Sequence, residues 1–211
     1  MKNIFYCMLI SSVFFLSCTI NKPVEKPKFI TVTASATITE NADYAIVTFP
    51  VNASGWIAAK VIEDNIAASN RISQALQTAG VGADDISVSN YGFEPYRIDT
   101  RQYSVSNNVT AKIHNLNSLG QIIDTAKLPG SPIPDVEFKL SDLQGAFRRA
   151  RTMAVQKAQE KSSLFTGAGG CKIGELLSLE EINVVSEDNI KAGKNGIFTI
   201  TSELRVTYSI Q

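Results

Sequence analysis

Histidine, cysteine and surplus charge are what this sequence has least of. Its 211 residues include one histidine, three cysteines and one tryptophan, and its 20 basic side chains are matched by 20 acidic ones. A single histidine, His114, leaves no second imidazole for a zinc site, and neither HExxH nor CxxC occurs. Zero net charge argues against a general nucleic-acid binder, which needs a basic surplus to neutralise phosphates. GxGxxG and Walker A spacings are absent, and the glycines from Gly167 to Gly174 fit neither. No cofactor is expected on these grounds. Beyond the first residues, no apolar run approaches the roughly 20 residues needed to cross a bilayer.

What is present begins with an export signal. Met1-Lys2-Asn3 is a short positive start, and Ile4 to Leu16 is almost wholly apolar, of signal-peptide length. The run closes on Phe15-Leu16-Ser17-Cys18, and a small residue before a cysteine at that point resembles the bacterial lipobox. The place three residues before the cysteine, usually Leu, holds Phe15. Residues 1–17 are therefore read as a lipoprotein signal peptide and Cys18 as the lipid attachment site, with ordinary secretion as the alternative. Residues 18–28 contain Pro23 and Pro27 and suit a polar, semi-extended tether. Residues 29–211 form the domain. Cys7 leaves with the leader, so Cys171 remains as a lone thiol, expected to be buried and inert; a Cys18–Cys171 bridge is the alternative.

Hydrophobic periodicity divides the domain. Ile30, Val32, Ala34, Ala36 and Ile38 alternate as a strand, Asn41-Ala42-Asp43 makes a turn, and Ala45, Val47, Phe49 and Val51 alternate again. Pro50 there predicts an edge or a strand end. A helix follows with a stripe of Val61 or Ile62, Ile66, Ile72, Leu76 and Ala79, stopped by Gly80. A strand over Ile86–Phe93, a break at Glu94-Pro95 and a strand from Tyr103 to Ile113 come next. Asn115 caps a short helix through Leu119, Ile122, Ile123 and Ala126. Val136 to Leu140 forms a strand, Ser141 caps a long helix carrying Leu143, Phe147, Ala150, Ala154, Ala158 and Leu164, and two strands joined by a polar hairpin loop close the chain. The order β-β-α-β-β-α-β-α-β-β predicts an α+β fold: mostly antiparallel sheets, helices on one face, and a ferredoxin-like central unit.

Candidate chemistry is sparse. His114 is out of phase with Val109, Ala111 and Ile113 and should face solvent or a partner. Asp84-Asp85, Glu180-Glu181 and Glu187-Asp188 are adjacent acids, which point in different directions and do not make a two-carboxylate site. Arg148, Arg149 and Arg151 read as a solvated face paired with nearby acids. Tyr91, Phe93, Tyr96 and Tyr103 cluster around a proline turn, either as a recognition patch or as a satellite core under a hairpin.

Several passages, each weak alone, occur in one order. They are the initial ITVTASATI strand, Ala79-Gly80-Val81 with Asp85-Ile86, Pro95-Tyr96 with Tyr103 and Asn107, Leu119-Gly120, Ile123-Asp124, and the alanines 150, 154 and 158 before Gly167. Together they resemble the bacterial SIMPL-domain family over about residues 29–210. The resemblance implies an exported domain that self-assembles, a homo-oligomer, and it supplies no catalytic residues. The expectation is a non-enzymatic, lipid-anchored protein of the cell envelope, held to a membrane through its N-terminal lipid and acting as a scaffold or binding module. Rival readings are a stress-protection factor or enzyme using Cys171, and a small-molecule binder.

Overall fold

The computed structural model describes residues 28–89, 92–97, 102–182, 190–193 and 195–211. The strands are β1 (Phe29–Asn41), β2 (Tyr44–Gly55), β3 (Ile86–Val88), β4 (Gly92–Arg97), β5 (Gln102–Ile113), β6 (Asp135–Lys139), β7 (Ile173–Glu181) and β8 (Ile197–Ile210). The helices are α1 (Ala58–Thr78), α2 (Leu119–Ala126) and α3 (Leu143–Ala168). The fold is α+β with antiparallel sheets, as the element order implies.

β2, β3, β5 and β6 form one sheet in the order β3-β5-β2-β6, every neighbour antiparallel. With α1 and α2 this is the βαββαβ arrangement of a ferredoxin-like unit, as expected. One strand of the expected order is divided: β3 and β4 both lie along β5, and β4 runs through Glu94-Pro95 with a register shift before Arg97 instead of stopping there. β6 pairs β2 only from Tyr44 to Thr48, so at Pro50 that side of β2 carries no partner strand among the described residues. The core beneath this sheet joins Val47, Phe49 and Val51 of β2 to Ile72 and Leu76 of α1 and to Val109, Ala111 and Ile113 of β5. Burying each large aliphatic here stabilises the fold by about 1.5–3 kcal/mol.

The second sheet is β1-β8-β7, with α3 across it. Its strands come from the two ends of the domain: Phe29 pairs with Ser209 and Asn41 with Ile197. The turn expected at Asn41-Ala42-Asp43 does not fold β2 back on β1. The Ala42 N–H donates to the Gly196 carbonyl and the Asp43 N–H to the Lys139 carbonyl, so the chain passes from the partner of β8 to the partner of β6. The Asp43 carboxylate also accepts from the Ser141 N–H and hydroxyl. Ser141 is thereby used in that corner, and Asp142 caps α3 instead, accepting from Gly145 N–H at 3.0 Å. A Cβ at Gly145 would fall 1.9 Å from the Asp142 carboxylate, so this cap needs glycine there. Asn115 caps a 3-10 turn, Leu116–Ser118, that leads into α2.

Both long helices depart from their expected stripes. On α1, Ile66 is exposed while Asn65 and Ser69 are buried. The Asn65 amide donates to the Val51 and Val105 carbonyls, and Ser69 bonds Asn107, so hydrogen bonds tie α1 to β2 and β5 at positions an apolar count overlooks. On α3, Leu164 is exposed, and Ser162 and Thr166 continue the buried row, each donating to a carbonyl four residues back. Small side chains at Ala150, Ala154, Ala158 and Ser162 let this helix lie close on the sheet. The other face of that sheet is hydroxyl-rich, with Thr31 bonded to Thr207 and Thr37 to Thr201.

Candidate functional site

Two sites are assembled by the fold, at places the sequence only partly marks. The first is at the far end of β2. Gly55, the last residue of β2, pairs with Tyr103 at the start of β5. A Cβ on Gly55 would meet the Val61 side chain at 3.1 Å, so glycine lets β2 end tightly against α1. The chain leaves as Trp56-Ile57, both more than 60% exposed. Tyr103 stacks on Phe93 of β4, with ring centroids 5.9 Å apart and planes tilted by 22°. Phe93 is itself exposed. Of the four expected patch residues, the fold thus brings Phe93 and Tyr103 together. Tyr91 and the Tyr96 side chain lie outside the described residues. Trp56 and Ile57 join the same end and were not singled out, because their signal, two large apolar residues between a strand glycine and a helix, also fits a helix start.

The second site surrounds His114, just past β5. The imidazole is exposed as expected, with Nε2 3.5 Å from Asp85 Oδ2 and its ring 6.1 Å from that of Tyr44. The Lys112 ammonium lies 4.6 Å from the Tyr44 ring centre, a cation–π distance. Asp85, Lys112, His114, Asn115 and Ser118 border a cleft of about 330 Å³. This is a polar hollow with both charges, suited to a small polar ligand. Among the described residues, no group of three metal-ligating side chains converges there or elsewhere.

The remaining candidates separate. Arg149 bridges Asp142 at 3.1 Å and Glu40 at 2.9 Å, and Arg151 pairs with Glu181 at 3.0 Å. Arg149 and Arg151 are therefore paired surface charges, as the sequence suggests, and Arg148 is exposed beside them. The Arg149 guanidinium holds the Asp142 carboxyl below its ordinary pKa, and the two carboxylates raise that of Arg149. Glu180 of the Glu180-Glu181 pair turns the other way and meets Arg205 at 2.9 Å. Cys171 is exposed, not buried. It sits in the turn after Gly169-Gly170, where the chain leaves α3 for β7. Cys18 precedes the described residues. None of the described helices is long and apolar enough to cross a membrane.

With this architecture established, comparison with known proteins is direct. A family model described as SIMPL, protein of unknown function (DUF541), matches residues 30–208. The chain belongs to the SIMPL family. Its curated relatives include the 26 kDa periplasmic immunogenic protein of Brucella melitensis biotype 1, 23% identical over 175 residues that cover 77% of this chain and 70% of the relative. The protein of the same name from Brucella abortus strain S19 matches with the same identity and coverage. The SIMPL match spans both sheets, from β1 to β8, so the three-stranded sheet built from the two ends of the domain lies within the family unit.

Proposed function

We propose that this SIMPL protein is a non-enzymatic, lipid-anchored component of the cell envelope whose domain works by self-association. The observation that carries the reading is the exposed aromatic end: Trp56, Ile57 and Phe93, backed by Tyr103, where β2 ends and β4 and β5 begin. Contiguous exposed apolar surface of this kind marks an interaction site, and aromatic anchors dominate such interfaces. Export is supported by the leader and by the word periplasmic in the relatives' name. The anchor rests on Ser17-Cys18 after the apolar run.

Size-exclusion chromatography with light scattering tests the assembly. The protein is expected to run as an oligomer at micromolar concentration, and W56S combined with F93S to run as a monomer with an unchanged circular dichroism spectrum. A wild type that stays monomeric throughout overturns the reading. A second reading, a binder of small polar ligands, is favoured by the cleft at Asp85, Lys112 and His114. Thermal-shift screening with small metabolites tests it, and a shift abolished by H114A would establish it.

A further inference from the structure

The N-terminal segment leaves the domain where β1 starts. The Lys28 carbonyl accepts from the Ile210 N–H, and Lys172 exchanges two backbone hydrogen bonds with Gln211. β1 starts, β8 ends and β7 starts at this one end. α3 also ends there: it runs antiparallel to β1, with Arg149 on Glu40 and the Lys161 ammonium on the Thr33 carbonyl.

Large apolar side chains gather around that exit. Phe29 opens β1, Leu164 and Phe165 lie in the last turns of α3, and Leu176 and Leu177 lie near the start of β7. All five are between 52% and 68% exposed. Leu176 is level with Tyr208 and Ile30, in the register of the sheet. Lys161 lies 6.0 Å from the centre of the Phe165 ring, its long stem beside the aromatic face. Three elements therefore present apolar side chains at one pole, which a soluble domain has no reason to collect beside its own chain exit.

We infer that this pole rests on the lipid surface to which the chain is anchored, inserting Phe29, Phe165, Leu176 and Leu177 at the headgroup boundary. The inference rests on the anchored reading given above. Cys18 precedes Lys28 by ten residues, a reach of at most roughly 33–36 Å. A lipid on Cys18 would thus hold this pole within that reach of the bilayer, where the local concentration of lipid is high enough for shallow apolar contacts to hold. Charge does not select the lipid. Lys28, Lys161 and Lys172 are largely offset by Glu160 and Glu175, so apolar insertion carries the contact. Trp56 follows the last residue of β2, in the other sheet, and serves as the reference indole.

The test uses the full protein, purified from bacterial membranes and reconstituted into phosphatidylcholine vesicles with dibrominated acyl chains. F165W and L177W are each made in a W56F background, alongside the wild type. Both introduced indoles should lose more than half of their emission to the bromines and shift to the blue. Trp56 of the wild type should keep its emission. Flotation of the same samples separates the two claims. Protein that floats with F165W and L177W unquenched overturns the docking and leaves the anchor standing. Protein that does not float overturns the anchor and the docking together. Quenching of Trp56 in place of the introduced indoles reverses the orientation and also overturns the proposal.

Discussion

The two sheets solve the same packing problem with opposite materials. The ferredoxin-like sheet is contiguous in sequence from β2 to β6, and it holds α1 and α2 with large aliphatics such as Ile72, Leu76, Val109 and Ile113. The three-stranded sheet joins β1 to β8 across most of the chain, and it holds α3 with a row of alanines continued by Ser162 and Thr166. A helix of small residues gains little from side-chain volume and depends on close backbone approach. It tolerates neither growth nor displacement. The difference teaches that one half is stabilised by what it buries and the other by how closely it fits.

Four substitutions probe that contrast. The largest effect is expected for Leu76→Ala, which empties a fully buried site in the aliphatic half and should cost about 2–5 kcal/mol in denaturant unfolding. Ala154→Leu in the close-fitting half should cost about 1–3 kcal/mol by overpacking. If it were neutral, α3 would have room to spare and the contrast would collapse. Asp43→Ala removes the corner where the two halves meet, at Ser141, and should cost about 1 kcal/mol. Separation of one unfolding transition into two would show that this corner couples the halves.

The smallest effect belongs to the Asp142–Arg149 pair on the α3 side. Arg149 lowers the folded-state pKa of Asp142 below its ordinary 3.8. The pair therefore stabilises the fold above that pH, and its contribution disappears as pH falls through the lowered value. Wild type should melt above D142N at neutral pH, and the gap should narrow in acid below pH 3.8. A gap that widened in acid would reverse the sign of this linkage.

The regular parts of this fold are legible in its sequence because they are governed by local period. Alternation marks β1, β2, β5 and β8, and the element order is enough to give the ferredoxin-like unit. The failures share a cause. Ile66 and Leu164 read as core because they are large and fall near the right spacing, yet both are exposed. The buried positions went instead to Asn65, Ser69, Ser162 and Thr166, whose polar groups find partners only once the helices dock or bond back to their own backbone. Cys171, a lone thiol after Gly169-Gly170 with no His or CxxC partner in the sequence, reads as buried, but the turn it lies in is exposed. Of the aromatic end, Phe93 and Tyr103 were legible as neighbours of a turn. Trp56 and Ile57 were not, since their place beside Tyr103 comes from the β2–β5 register.

By itself the sequence determined the α+β class, the three helices and most of the strands of the described residues, all of which follow from composition and short-range period. Tertiary structure alone decided that β1 joins β8 instead of β2, because backbone hydrogen bonds at Ala42 and Asp43 carry the strand from one sheet to the next. It also decided that Trp56 and Ile57 come to the same strand ends as Phe93 and Tyr103, and that Phe29, Phe165 and Leu176 collect where β1 and β7 start and α3 ends. Residues far apart in the chain become neighbours only through sheet register and helix direction, and no local pattern records either.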